Sequence, residues 1–328
     1  MSFRSVGIIG TGRYVPERIL TNAELAEMVD TNDEWIVTMT GMKERRIAAP
    51  EQATSDLAYE AALKALDAAG ITADQLDLIV VCTVTPDSTF PSTACLVQER
   101  LGAKRAAAFD LSAACAGFIY GLATASNFIK TGIYENALVI GAECLSRITD
   151  YTDRNTCILF GDGAGAAVLG PVEEGRGFEA FELGADGSGK ELLKLEGGGS
   201  RKPASIETIE GKKHYIYMNG REVFKFAVRI MGNAAEEALS KAGKTKEDID
   251  LFIPHQANIR IIQSAIDRLD LPKEKCFVNL PKYANTSAAS IPIALAEAAE
   301  EGRLKQGDTV VLVGFGGGLT WGACVLSW

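Results

Sequence analysis

The chain has 328 residues, 47% apolar and 23% charged, enough for two ordinary domains or one large fused unit with a substantial core. Lys and Arg number 33 against 43 Asp and Glu, and the resulting net charge of −10 is the wrong overall field for binding DNA or RNA. No segment is apolar over the length that a bilayer requires, and no signal-peptide core stands in MSFRSVGIIGTG.

Seven widely spaced cysteines form no CxxC pair, and most sit in apolar runs such as LIVVCTV. A reducing cytoplasm is the expected setting. The only histidines are His214, in the charged GKKHYIY stretch, and His255.

In chain order, VGIIGTG (6–12) predicts a strand. GIIGTGRYVPE (7–17) superficially matches a dinucleotide fingerprint, as does GDGAGAA (161–167). Pro16 follows the first too soon for a helix and the second runs into a strand, so a nicotinamide site is not expected. Residues 61–81, AALKALDAAGITADQLDLIVV, predict an amphipathic helix closed by Gly70, then a turn and a buried strand. A strand (AAAFDL), an apolar helix (ACAGFIYGLATASNFI), a strand (NALVIGAE) and a Gly-rich final strand (GDGAGAAVLG) follow.

The second half repeats this order. Residues 234–254, AAEEALSKAGKTKEDIDLFIP, lie without a gap over 61–81, with Ala61/Ala234, Leu66/Leu239, Gly70/Gly243, Asp77/Asp250 and Leu78/Leu251 among the identities. KCFVNL, SAASIPIALAEAA, DTVVLVGF and GGGLTWGACVLSW continue it as strand, helix, strand and final strand. Two duplicated α/β halves are expected, 1–172 and 173–328. The two apolar helices should lie between the sheets in an α/β/α/β/α sandwich. Residues 190–218, with GGGSRKP and many charges, predict an exposed inserted loop.

Three residues stand where chemistry could occur. Cys115 follows strand AAAFDL at the first turn of an apolar helix, where unsatisfied N–H groups favour thiolate. That field is worth about 0.3–2 kcal/mol. Small neighbours (Ala113, Ala114, Ala116, Gly117) leave room for a substrate; the plainer alternative is a buried structural thiol. His255, in DLFIPHQANIR, emerges at a strand end, where open α/β sheets place ligands. Asn285, in KYANTSAAS, occupies the turn that the repeat pairs with the Cys115 turn, so both should face one cavity; alone it would read as a helix cap. GFGGGLTWG (314–322) could aim a backbone N–H at a substrate oxygen, or form only a tight turn.

AACAGF, PHQAN, NTSAAS and FGGGLTWG, with TNDEWIVTMTGMKERRIA, together resemble β-ketoacyl-acyl-carrier-protein synthase III, a thiolase-like condensing enzyme. The similarity covers nearly the whole chain. It implies a catalytic Cys115, His255 and Asn285, with the N–H groups of Cys115 and Gly317 as the oxyanion hole. Elongating relatives pair the cysteine with two histidines, and thiolases use a second cysteine where this chain has GFGGG. The resemblance further assigns Trp35, Thr40, Arg154, Gly220, Phe224, Ala257, Asn258 and Arg260 to coenzyme A and its pantetheine arm. It assigns Leu145, Phe160 and Phe315 to the acyl pocket, with Phe90 presented by the partner subunit of a homodimer. Met39 stands where well-known members carry an Arg against adenine, keeping a packing surface without the charge.

The implied reaction is acylation of Cys115 by a short acyl-coenzyme A, then decarboxylative condensation with malonyl-acyl-carrier protein. Coenzyme A thioester is a substrate there, and no metal, flavin or nicotinamide is required. Lys225, Arg260 and Arg268 are the expected docking surface for the acidic carrier, Arg260 and Arg268 falling near one helix face. A condensing enzyme of secondary metabolism and a non-catalytic binding module on this fold are the competing expectations.

Overall fold

The computed structural model describes residues 4–328. Its first half runs β1 (Val6–Tyr14), β2 (Arg18–Thr21), α1 (Asn22–Met28), α2 (Asp33–Thr40), β3 (Glu44–Ile47), α3 (Thr54–Ala69), β4 (Leu78–Cys82), α4 (Thr93–Leu101), β5 (Ala107–Leu111), α5 (Gly117–Lys130), β6 (Ala137–Cys144) and β7 (Asp162–Pro171). The second begins with β8 (Gly177–Ala185), β9 (Leu193–Leu195), α6 (Ile206–Glu210), β10 (Ile216–Met218) and α7 (Gly220–Lys241). It continues with β11 (Leu251–Pro254), α8 (Ile259–Leu269), α9 (Leu280–Tyr283), α10 (Ser290–Glu300), β12 (Thr309–Gly316) and β13 (Thr320–Ser327).

The duplication read from residues 61–81 and 234–254 extends to both sheets. One has the order β1-β7-β6-β4-β5, the other β8-β13-β12-β11. The matching pairs run in matching directions: β1·β7 and β8·β13 antiparallel, β6·β7 and β12·β13 antiparallel, β4·β6 and β11·β12 parallel. α3 packs outside the first sheet, and α7, backed by α8, outside the second. α5 and α10 lie between them, in a core that joins Phe118, Leu122, Ile291 and Leu295 to strands of both sheets. An apolar surface on every side of these two helices has nowhere else to go.

One expected strand is missing. KCFVNL makes only a parallel bridge from Cys276 to Phe252, where β5 is a full strand. The Gln256 side chain takes the Asn279 and Leu280 N–H groups at 3.1 Å each, and the chain turns into α9 with Pro281 in its first turn. Side-chain capture has replaced the ladder.

The two glycine-rich segments pair with each other as β1 and β7, Gly12 opposite Ala166. A Cβ on Gly12 would lie 2.4 Å from the Ala61 carbonyl oxygen, so these glycines let α3 sit directly on the sheet. Among the described residues, no helix is long and apolar enough to cross a membrane.

Candidate active site

The two turns related by the duplication meet at the centre of the molecule. Ala114–Ala116 precedes α5, and Ser287–Ala289 precedes α10. Their first residues, Ala114 and Ser287, share a left-handed backbone (φ 47° and 49°), costly for a side chain and retained at both places. Across the junction Cys115 Sγ lies 3.4 Å from Ser287 Oγ. The end of β12 closes the third side. A Cβ on Gly316 would stand 2.5 Å from the Cys115 nitrogen, and Thr320 Oγ1 donates to the Ala113 carbonyl at 2.9 Å. Gly317 is thereby held on the wall of the cavity that contains Cys115.

The thiol departs from the value its helix-start position suggests. Burial pushes it from near 9 up to about 12, with the Ser287 hydroxyl opposing and the Glu143 charge adding to the rise. That difference, 12 − 9, is worth about 4 kcal/mol, against at most about 2 kcal/mol from a helix terminus. Desolvation wins, and resting Cys115 is a thiol.

His255 follows β11 and is wholly buried, its ring edge-on to Phe315 with centroids 5.6 Å apart. Nδ1 lies 2.6 Å from Ser290 Oγ, which already accepts the Gln256 N–H at 3.4 Å. Donation from the Ser290 hydroxyl to Nδ1 would leave the ring's own proton on Nε2. Burial lowers the pKa of His255 from 6.5 to about 3, so the ring is neutral at working pH. Because the folded value is depressed, the associated stability is complete above about 6.5 and is lost as pH falls toward 3. At pH 5 the loss should be about 2 kcal/mol, from 1.36 kcal/mol per unit below 6.5. Urea unfolding at pH 7 and pH 5 measures it, and His255→Gln should show a pH loss smaller by that amount. An equal loss in both proteins would refute it.

Asn285 is oriented by its own turn. Its Oδ1 accepts the Ser287 N–H at 2.8 Å, so the amide NH2 carries the free hydrogens. Ser287 and Ser290 lie within the NTSAAS motif without a role being read for them, and Glu143 had no signal beyond being a polar residue in an apolar run.

An apolar cavity of about 410 Å³ holds Cys115 with Leu145, Phe160, Leu193 and Gly317. Phe315 is not on its wall: it packs between His255 and Phe226 instead, and Asn285 and His255, both buried, are off the wall too, so Cys115 and Asn285 do not line one cavity as the repeat suggested. Phe90 is 84% exposed and absent from this chain's cavity. Lys194 and Ile216 connect the cavity to an outer groove of about 1130 Å³, whose wall includes Trp35, Thr40, Gly220, Phe224, Asn258 and Arg260.

Several assigned groups are already engaged. The Thr40 hydroxyl donates to Ile36 O and accepts from Met42 N, and the Asn258 amide caps α8 while donating to Met39 O. Arg154 lies off the groove wall with its guanidinium 5.0 Å from the Trp35 ring centroid, and Ala257 is also off the wall. Arg268 is paired with Glu236 at 2.6 Å and lies off the groove wall, and Lys225, on the wall, is likewise paired with Glu222 at 2.7 Å. The loop 190–218 does more than cover the surface: β9 and β10 wall both spaces through Leu193, Lys194 and Ile216.

The sequence matches two family profiles, 3-oxoacyl-[acyl-carrier-protein (ACP)] synthase III over residues 109–187 and the C-terminal part of the same family over 239–328. It is 63% identical to a beta-ketoacyl-[acyl-carrier-protein] synthase III of Desulfitobacterium hafniense (strain DSM 10664 / DCB-2), over 99% of this chain and 98% of that one. A crystal structure of 3-oxoacyl-[acyl-carrier-protein] synthase III from Aquifex aeolicus VF5 superposes with a TM-score of 0.91 at 52% identity, covering 98% of this chain and 100% of the other. The priming beta-ketosynthase of the R1128 polyketide pathway superposes at 0.92 with 35% identity, over 99% and 97% of the two chains.

Proposed function

The chain belongs to the 3-oxoacyl-[acyl-carrier-protein] synthase III family, and from that membership we propose that it starts fatty-acid synthesis by joining a short acyl group to malonyl-acyl-carrier protein through an acyl-Cys115 intermediate. The observation that carries the assignment of the nucleophile is the thiol of Cys115 at the junction of both halves, on an apolar cavity that opens into a long groove.

The groove admits the pantetheine arm of acyl-coenzyme A between Phe224, Asn258 and the β9–β10 ribbon. Cys115 Sγ attacks the thioester carbon, and the developing oxyanion takes hydrogen bonds from the N–H groups of Cys115 and Gly317. Collapse expels coenzyme A thiol and leaves the acyl group among Leu145 and Phe160. Malonyl-carrier protein then enters by the same groove and loses carbon dioxide. The charge moves to its thioester oxygen, where His255 Nε2–H and the Asn285 NH2 donate. The carbanion attacks the acyl carbon, the bond to Sγ breaks, and a β-ketoacyl-carrier protein leaves. This sequence needs no metal or redox group. Phe90, a large exposed ring, supports a homodimer in which each protomer offers it to the partner's acyl cavity. Seven free thiols, six of them buried, support a cytoplasmic setting.

Formation of β-ketoacyl-carrier protein from an acyl-coenzyme A and malonyl-carrier protein, read by mass spectrometry, tests the proposal. Condensation only with free malonyl-coenzyme A would favour a role nearer the polyketide-priming relative. The carrier's docking surface is tested with the same assay. Lys225 and Arg260 both border the groove, which Arg268 does not. The double variant Lys225→Glu, Arg260→Glu should raise KM for malonyl-carrier protein at least about tenfold at low salt and flatten its salt dependence. An unchanged KM at low salt would move the docking surface elsewhere.

A further inference from the structure

The scheme above leaves Cys115 without a base, although burial makes it a thiol. Glu143, near the end of β6, is a wholly buried carboxyl that the scheme does not use. Its Oε2 accepts from Thr85 Oγ1 at 2.5 Å and Thr83 Oγ1 at 3.1 Å, and the Val84 N–H donates to the same carboxyl at 3.2 Å. Glu143 shares its face of β6 with Gly141, where a Cβ would stand 2.2 Å from the Ala288 carbonyl oxygen, so the carboxyl lies on the side where the Ser287–Ala289 turn packs, and the Ser287 hydroxyl favours its charged form. On its other side the same hydroxyl lies 3.4 Å from Cys115 Sγ. Ser287 is thus in contact with the sulfur and belongs to the turn that packs beside the carboxylate, on residues far apart in the chain.

We propose that Glu143 receives the Cys115 proton through Ser287 during acylation and returns it to the departing thiol. As the S–C bond forms, Sγ–H passes its proton to Ser287 Oγ and Ser287 passes its own to the Glu143 carboxylate. When the tetrahedral adduct collapses, the bond to the coenzyme A sulfur breaks and the proton returns through Ser287 to that sulfur. No outside acid or base is consumed. Glu143 touches no substrate, so it is a positioning residue for the proton.

Burial raises Glu143 to about 7, opposed by hydrogen bonds from Thr85, Ser287, Val84 and Thr83, which suits a group that must both accept and return a proton near neutrality. The titratable groups around it are the thiols of Cys82 on β4, with Asp110 beyond it, of Cys115, and of Cys144 next along β6. All three thiols are raised well above neutrality, chiefly by burial, so Glu143 is the member of the cluster that titrates near pH 7.

The relay rests on the reading of Cys115 as the acylated nucleophile, and a substrate-free probe separates the two. The pH profile of iodoacetamide alkylation of Cys115, followed by intact mass, should be taken for wild type, Glu143→Gln and Ser287→Ala. Charge repulsion and proton acceptance predict opposite signs. The Glu143 charge pushes the Cys115 thiol up, so removing a mere like charge would speed alkylation. Removing a proton acceptor should slow it, by at least about tenfold at pH 8, and abolish the rise in rate through pH 7. Ser287→Ala should reproduce the slowing; its backbone conformation is one that Ala114 already adopts at the related position, so this variant carries the test if Glu143→Gln does not fold. Alkylation that is unchanged or faster in the variants overturns the relay. A wild-type protein that alkylates at Cys115 but accepts no acyl group from acyl-coenzyme A would overturn the functional reading instead.

Discussion

Replacing Cys115 with serine is expected to abolish the acyl-enzyme and with it the condensation. The change is nearly isosteric, so the turn, the Ser287 contact and the packing of Gly316 on the Cys115 nitrogen should survive. What is lost is sulfur chemistry. The thiol is already held near 12 by burial, and a hydroxyl, a far weaker acid, would have to ionise in the same desolvated place. A loss of turnover on the order of 10⁴ or more follows, comparable in scale to removing a nucleophile elsewhere. Intact-mass measurement after exposure to acyl-coenzyme A reads the outcome. An acyl adduct on one of the six other thiols, or turnover within tenfold of wild type, would show that the nucleophile lies elsewhere.

The second large effect separates the half-reactions. His255→Ala and Asn285→Ala should each slow decarboxylation of malonyl-carrier protein by about 10²–10³, while acylation of Cys115 changes by less than about tenfold. The argument is one of hydrogen inventory. Ser290 occupies Nδ1 of His255, leaving Nε2–H to donate, and the Ser287 N–H occupies Oδ1 of Asn285, leaving its NH2. Both residues are neutral donors, suited to an oxygen that gains negative charge as carbon dioxide departs. In the proposed mechanism the first oxyanion is served by backbone N–H groups, which neither substitution removes. Single-turnover acylation and malonyl decarboxylation should be measured apart. Equal losses in the two steps for Asn285→Ala would show that the division of roles is wrong.

The duplication and the central pair of apolar helices are legible in the residue string alone, which also nominates Cys115, His255 and Asn285 as candidates for chemistry. These are local patterns: the spacing in residues 61–81 and 234–254, small residues around Cys115, a polar cluster after the strand that ends at Pro254. The string also identified the family, because the motifs that carry the resemblance are contiguous. The remainder follows from contacts between residues distant in the chain. That KCFVNL stops being a strand depends on Gln256, twenty-three residues from the Asn279 N–H it captures. The pairing of Arg268 depends on Glu236 of α7, and the place of Phe315 depends on His255 and Phe226. The protonation of Cys115 was misjudged from sequence for one physical reason. A helix start is visible in a residue string, but desolvation is set by what packs around the sulfur. The Ser287 hydroxyl beside it comes from 172 residues away, and a carboxyl on β6 completes the setting. Burial in a low dielectric outweighs a terminal dipole, and burial exists only once the two halves have closed on each other.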